Sequence, residues 1–228
     1  GAAAYHAHRA VEHGMIGISM TIGGLQVLPT FGAKPMIGLN PIAVAVGAGD
    51  EADFVFDASM SSVAGNKIRI ARRLGATVAP GWIADVEGTP ILEESAVPDE
   101  FHMLPTGGTR EGGSHKGYGL ASMVDMLCGL LAGDEPGFLR PPGDVGHHFL
   151  AYRIDAFCDL DEFTEHMQTF MRGLRETPPA KGHERVLYAG LAEHETEQDR
   201  RAHGIPYHPD VVEYFRTTAD EHGVAHHL

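Results

Sequence analysis

Apolar positions along the chain recur at two spacings, and the changes between them mark out its elements. Residues 2–13 read as a helix closed by Gly14, a residue suited to a helix C-terminus. Residues 15–21 (Met-Ile-Gly-Ile-Ser-Met-Thr) read as a buried strand ending in a Gly23-Gly24 turn. Residues 40–46 and 53–59 read as two more strands, rich in β-branched and aromatic side chains and joined by a polar turn over 47–51. Over 63–74, Ile68, Ala71 and Leu74 fall at helical spacing, with Lys67, Arg69, Arg72 and Arg73 between them.

A long irregular stretch then runs from 75 to 114, punctuated by Pro80, Pro90, Pro98, Pro105 and the Gly107-Gly108 pair; loops of that length commonly carry function. Residues 116–131 form the strongest predicted helix, with a wide apolar face from Leu120 to Leu131 and a stop at Gly133. After a Pro/Gly-rich stretch over 135–146, the pattern predicts a strand at 148–154. A helix at 159–175 follows, its early acids and late arginines matched to the helix dipole. A short strand at 186–188 and helices at 193–203 and 209–222 complete the chain. Strands and helices mix without strict βαβ alternation, so the expected fold is α/β, a mixed sheet covered by helices. The expected division is a sheet domain over 1–155 and a C-terminal helical segment over 156–228. The chain opens on Gly-Ala-Ala-Ala-Tyr inside a predicted helix, with no initiator Met and no capping residue, as expected of a sequence cut at its N-terminus.

Charge and composition narrow the partners. The 228 residues carry 17 Lys+Arg against 31 Asp+Glu, a formal net charge of -14, which disfavours nucleic acid and membrane surfaces. Apolar runs such as 39–49 fall well short of the roughly 20 residues that span a bilayer. The first residues lack a charged-then-apolar pattern, so a secretory signal is not expected among them, and Cys128 and Cys158 lack metal or redox spacing. A cytoplasmic protein without disulfides is expected.

Two places could carry chemistry. Ser-His-Lys-Gly-Tyr-Gly-Leu at 114–120 is a glycine-rich turn entering the strongest helix, where free N–H groups and Lys116 can hold an anion. The same pattern also suits a solvated lysine at a helix start. Asp57-Ala58-Ser59 ends an apolar strand, where a carboxylate and a hydroxyl can bind sugar hydroxyls. Asp57 can equally cap the turn that follows. The 15 histidines suggest a metal hydrolase, but no H-E-x-x-H, C-x-x-C or carboxylate–His cluster accompanies them, so no metal ligand is assigned. No G-x-S-x-G elbow is present, and no G-x-G-x-x-G follows a strand, so a dinucleotide would not be held in the Rossmann manner.

Taken in order, several segments carry a resemblance. They are Gly-Ala-Ala-Ala-Tyr at 1–5, Gly-Leu-Asn-Pro-Ile-Ala at 38–43, Phe-Asp-Ala-Ser at 56–59 and Gly-Asn-Lys-Ile at 65–68. Gly-Trp-Ile-Ala-Asp-Val-Glu-Gly-Thr-Pro follows at 81–90, then Leu-Pro-Thr-Gly-Gly at 104–108 and His-Lys-Gly-Tyr-Gly-Leu at 115–120. Val-Leu-Tyr-Ala-Gly at 186–190 and Arg-Ala-His-Gly-Ile-Pro-Tyr-His-Pro at 201–209 close the series. The chain resembles the malate/L-lactate dehydrogenase type 2 family, which includes ureidoglycolate, sulfolactate and diketogulonate-type enzymes. The resemblance implies a non-Rossmann fold, a homodimer, and hydride transfer between NAD or NADP and a small 2-hydroxy or 2-oxo acid such as malate or lactate. Carried over by position, it implies cofactor contacts at Gly23, Asp57, Ala58, Ser59, Lys116, Gly190, Leu191 and Ala192. Gly23, Leu191 and Ala192 stand where the family more often has polar side chains, so contacts there would run through the backbone. The proton-exchanging His of the family lies just before the Gly-Ala-Ala segment, so no catalytic residue is assigned within this chain. The alternative is a truncated, inactive remnant of such an enzyme that binds a nucleotide or dimerises.

Overall fold

The computed structural model describes residues 2–141 and 143–226. Helix α1 (Ala4–Val11) leads into strands β1 (Met15–Thr21), β2 (Ile42–Val46) and β3 (Phe54–Ala58), followed by helix α2 (Gly65–Leu74). Four two-residue strands come next: β4 (Thr77–Val78), β5 (Ile83–Ala84), β6 (Ser95–Ala96) and β7 (His102–Met103). Helix α3 (Ser114–Cys128), strand β8 (His147–Arg153) and helices α4 (Leu160–Arg175), α5 (Leu191–His203) and α6 (Pro209–Glu221) complete the described chain.

The main sheet has the order β3-β2-β1-β8. The α/β class with a helix-covered sheet stands. Strand direction refines it: among the described residues every ladder is antiparallel, and parallel pairing is confined to an isolated bridge between Val27 and Met103. The segment over 186–188, expected as a strand, forms none. It is joined to β3 by a single backbone bond, Val55 N–H to Ala189 C=O at 3.0 Å, and by the Tyr188 hydroxyl donating to Ala52 C=O. One bond does not make a ladder.

Alternation along the strands gives the sheet two different faces. On one, Ala7 of α1 packs on Ala43 and Ala45 with Val55 beside them. The approach is closer than any side chain allows: a Cβ on Gly17 would lie 1.9 Å from the Ala7 carbonyl oxygen. On the other, Met20 and Ile42 meet Ala121, Val124 and Cys128 of α3 and Ile68 of α2 in the largest core. Helix α4 is fixed at both ends. The Asp159 side chain accepts N–H bonds from Asp161 and Glu162, capping its start. Near its end Arg172 and Arg175 clasp Glu51 in the β2–β3 turn, and the Arg175 guanidinium, then Arg172, hold that carboxyl below its usual range.

The described chain divides into two compact units, the second beginning at Leu191. That unit holds α5 and α6. Arg201 pairs with Glu197 one turn back in α5; the His208 ring caps α6, and Tyr207 and Phe215 meet edge-on at 5.8 Å.

Two outcomes are expected. Gly17→Ala forces α1 off the sheet and lowers unfolding stability by about 3 kcal/mol, the upper part of the overpacking range, measurable by urea denaturation. Burial, reinforced by the negative charge of Asp125, pushes the Cys128 thiol up to about 11, whereas Cys158 is exposed. A thiol reagent at pH 8 should therefore titrate one cysteine in the native protein and two in denaturant.

Candidate functional site

The loop leaving β1 is held by a buried side chain. Asn40 is fully buried with left-handed backbone (φ 41°), a conformation Asn tolerates better than most residues. Its Oδ1 accepts the Gly23 N–H at 3.0 Å, and its Nδ2 donates to the Ala121 carbonyl at 2.8 Å and to Asp125 Oδ2 at 2.6 Å. Gly23 is thereby tied to the middle of α3, and its N–H is already spent. A contact there falls to its carbonyl or Cα, and a Cβ on Gly38 would lie 2.3 Å from that carbonyl. Burial raises the Asp125 carboxyl, against the lowering pull of the Asn40 hydrogen bond and of Arg140. Asn40 and Asp125 were not singled out by sequence pattern. The available signal was an Asn between glycine and proline turn residues, and one acid set in an otherwise apolar helix.

At the end of β3, the three residues of the Asp-Ala-Ser segment face different ways. The Asp57 carboxylate accepts the Ala4 N–H at 2.8 Å, so it does cap, but the helix capped is α1 and not the turn that follows. Its other oxygen has no partner among the described residues. Ala58 pairs with Ile42 and packs into the α3-side core. Ser59 Oγ lies 3.0 Å from Ser61 Oγ, and Ser61 donates its own proton to the Val63 carbonyl. Ser59 must therefore be the donor to Ser61, which leaves its lone pairs free to accept.

Thr106 joins this cluster to α3. Its hydroxyl donates toward the Ser61 carbonyl at 3.2 Å, and a Cβ on Gly117 would come within 2.3 Å of the Thr106 carbonyl. Close approach at Gly117 thus sets the start of α3 against the Ser59–Ser61 turn. That helix start is less open than the sequence suggests. The Ser114 N–H is bonded to Thr109 C=O and the Lys116 N–H to Gly113 C=O. The Lys116 ammonium, by contrast, has no partner among the described residues. A cleft of about 410 Å³ opens on the loop before α3, lined by Ser62, Trp82, Thr106, Gly107 and Thr109. It adjoins a second, of about 260 Å³, bordered by Thr30, Phe31, Arg110 and Ser114, with Leu92, Gly108 and Thr109 common to both.

Gly190 (φ 98°) lies against β3, where a Cβ would meet Asp53 O and Val55 N at 2.8 Å, so only glycine fits. The Ser59–Ser61 turn and the start of α3 thus meet at Thr106, and Gly190 runs along the edge of the strand that carries Asp57. Asp57 itself turns to the α1 face. Leu191 and Ala192 form the first turn of α5, in the second unit. No group of three or more His, Cys, Asp or Glu able to hold a metal occurs among the described residues. Among them, too, no helix is long and apolar enough to cross a membrane.

Residues 1–216 match the family of malate/L-lactate dehydrogenases. The chain belongs to that family. It is 34% identical over 230 residues to a malate dehydrogenase of Pyrococcus horikoshii, covering 98% of this chain and 64% of that one. It is 30% identical over 228 residues to a ureidoglycolate dehydrogenase (NAD(+)) of Escherichia coli, covering 96% and 62%. Its fold superposes on the crystal structure of malate dehydrogenase from Entamoeba histolytica with a TM-score of 0.91 and 28% identity, over 100% of this chain and 67% of that one. The chain thus spans less than two thirds of the length of these curated relatives. In this member of the family the free Lys116 ammonium, the unpaired Asp57 carboxylate oxygen, the Ser59 lone pairs and the glycine backbone are of kinds that suit a phosphate- and ribose-bearing ligand.

Replacing Asn40 by Ala strands the Gly23 N–H, removes the donor from Asp125 Oδ2 and puts Ala in a left-handed conformation. A loss of about 2–4 kcal/mol in unfolding free energy is expected by denaturant titration, with Asn40→Gly losing less than Asn40→Ala.

Proposed function

We propose that this chain holds the dinucleotide, NAD or NADP, in an oxidoreductase that moves hydride between it and a small 2-hydroxy or 2-oxo acid of the malate or lactate kind. The observation that carries the reading is the unpartnered Lys116 ammonium at the start of a helix that Gly117 and Thr106 hold against the Ser59–Ser61 turn, in a chain that belongs to the malate/L-lactate dehydrogenase family.

Lys116 serves as a point charge for a cofactor phosphate or ribose hydroxyl. Asp57 keeps one oxygen on Ala4 and offers the other to a ribose hydroxyl; Ser59 accepts from a second. Ala58, Gly23 and Gly190 contribute backbone. When bound, the dinucleotide supplies or accepts the hydride; these residues hold and orient it and exclude water from its edge. The proton exchanged with the substrate oxygen is assigned to no residue of this chain. In the wider protein the substrate is the small acid, the assembly a homodimer and the setting the cytoplasm.

Titrating the purified chain with NADH and with NADPH, and following energy transfer from the single tryptophan, Trp82, tests the reading. Saturable binding of either is expected, weakened about tenfold or more by Lys116→Ala, the loss of a charged hydrogen bond. Unchanged affinity in that variant would remove Lys116 from the site. A chain that binds the dinucleotide yet never reduces a 2-oxo acid, even as part of a longer protein, would favour a non-catalytic binding remnant.

A further inference from the structure

A second group of charges lies on α2, apart from the hydroxyl cluster. The helix holds Lys67, Arg69, Arg72 and Arg73 and no acid, in a chain whose formal net charge is -14. Like charges this close repel unless something neutralises them. Arg72 is accounted for: its guanidinium donates to the Pro98 and Asp99 carbonyls and lies 5.7 Å from the Phe101 ring centroid. Arg69, one turn earlier on the same side of the helix, makes no hydrogen bond or ion pair among the described residues. It lines a cavity of about 310 Å³ together with Gln26, Gly65, Phe101 and His102. The acids of the facing segment, Asp99 and Glu100, are not among the residues lining it.

Three residues with polar side chains, from three separate elements, therefore line one cavity: Arg69 from α2, His102 from β7 and Gln26 from the loop after β1. Gln26 spends one N–H on the Gly24 carbonyl at 3.4 Å and keeps the other. A guanidinium fork is suited to paired anionic oxygens, and two further side chains with donor groups in the same lining suit a group with a third. A carboxylate offers two oxygens and one charge. A phosphate monoester offers three and about -1.5 to -2 charges at neutral pH, enough to relieve the crowded cations of α2.

We propose that the cavity beside Arg69 binds a phosphate monoester. That chemistry has two sources: the ribose 2′-phosphate of NADP, which rests on the dinucleotide reading above, or a separate phosphorylated metabolite, which does not. Calorimetric titration with inorganic phosphate tests the site without any dinucleotide. Saturable binding of one phosphate per chain is expected, weakened at least tenfold by Arg69→Gln and not by Lys67→Gln, a substitution away from the cavity lining. Phosphate binding untouched by Arg69→Gln, or reduced equally by Lys67→Gln, overturns the proposal, as does no binding. NADH and NADPH titrations of the Arg69→Gln variant then separate the sources. A tenfold loss for NADPH alone identifies the ribose phosphate, and equal retention of both identifies a separate metabolite. Failure of NADH to bind the parent chain strikes the dinucleotide reading and leaves the phosphate site standing.

Discussion

The carboxamide of Asn40 is the joint between the sheet and the helix that carries Lys116. It accepts from the Gly23 N–H and donates to the Ala121 carbonyl and the Asp125 carboxylate, three bonds made out of reach of water. Few side chains can do this: the position calls for one acceptor, two donors, a short reach and tolerance of a positive φ. Behind it Asp125 lies 3.9 Å from Arg140, which is itself 3.7 Å from Asp134; the Arg140 side chain is only 5% exposed. A buried cation with two acids at a distance is held by field more than by direct bonds, and two of its nitrogens lack a hydrogen-bond partner. The chain of contacts from Gly23 to Arg140 thus ties the loop after β1 to the body of α3.

The two faces of the sheet are built by different means, and the candidate site follows from that. The α1 face is closed by absence of side chains, with Gly17, Ala7, Ala43 and Ala45 letting backbones meet. The α3 face is closed by bulk, with Met20, Ile42, Val124 and Cys128 interlocking. Strand β3 lies at the edge and reaches both sides, so Asp57 points to the start of α1 while Ala58 enters the opposite core. Ser59 then leaves the sheet toward α3. A ligand meeting all three would wrap the strand end, and Gly190 marks where the backbone running along β3 leaves no room for a side chain.

Much of the fold was legible because it is set locally. Strand β1 was read at its own boundaries, and β2, β3, α2, α3, α4 and α6 were read within a few residues, since their periodicity and their stops are carried by neighbouring residues. The stretch from 75 to 114 read as irregular, yet β4 pairs with β6 and β5 with β7. Two-residue strands have no period to detect. The segment at 186–188 failed in the opposite direction: its apolar residues look like a strand, but they serve a single backbone bond and a tyrosine anchor beside β3. Lys116 and Asp57 were visible as chemistry at element ends. Asn40 and Thr106 were not, because their importance lies in partners that only the folded chain brings to them, the Ala121 carbonyl and Asp125 for one and the Ser59–Ser61 turn for the other.

The sequence by itself determined the family, the residue types available for chemistry, the acidic balance and the identity of the long elements. These depend on order and composition, which need no contact to be read. Only the tertiary structure decided that Asp57 caps α1, that the start of α3 spends two of its N–H groups on its own turn, and that Arg69 stands unpaired at a cavity. Each is a question of which group lies within about 3 Å of which other, a distance at which hydrogen bonds form or fail. No spacing along a chain encodes that until the backbone has closed.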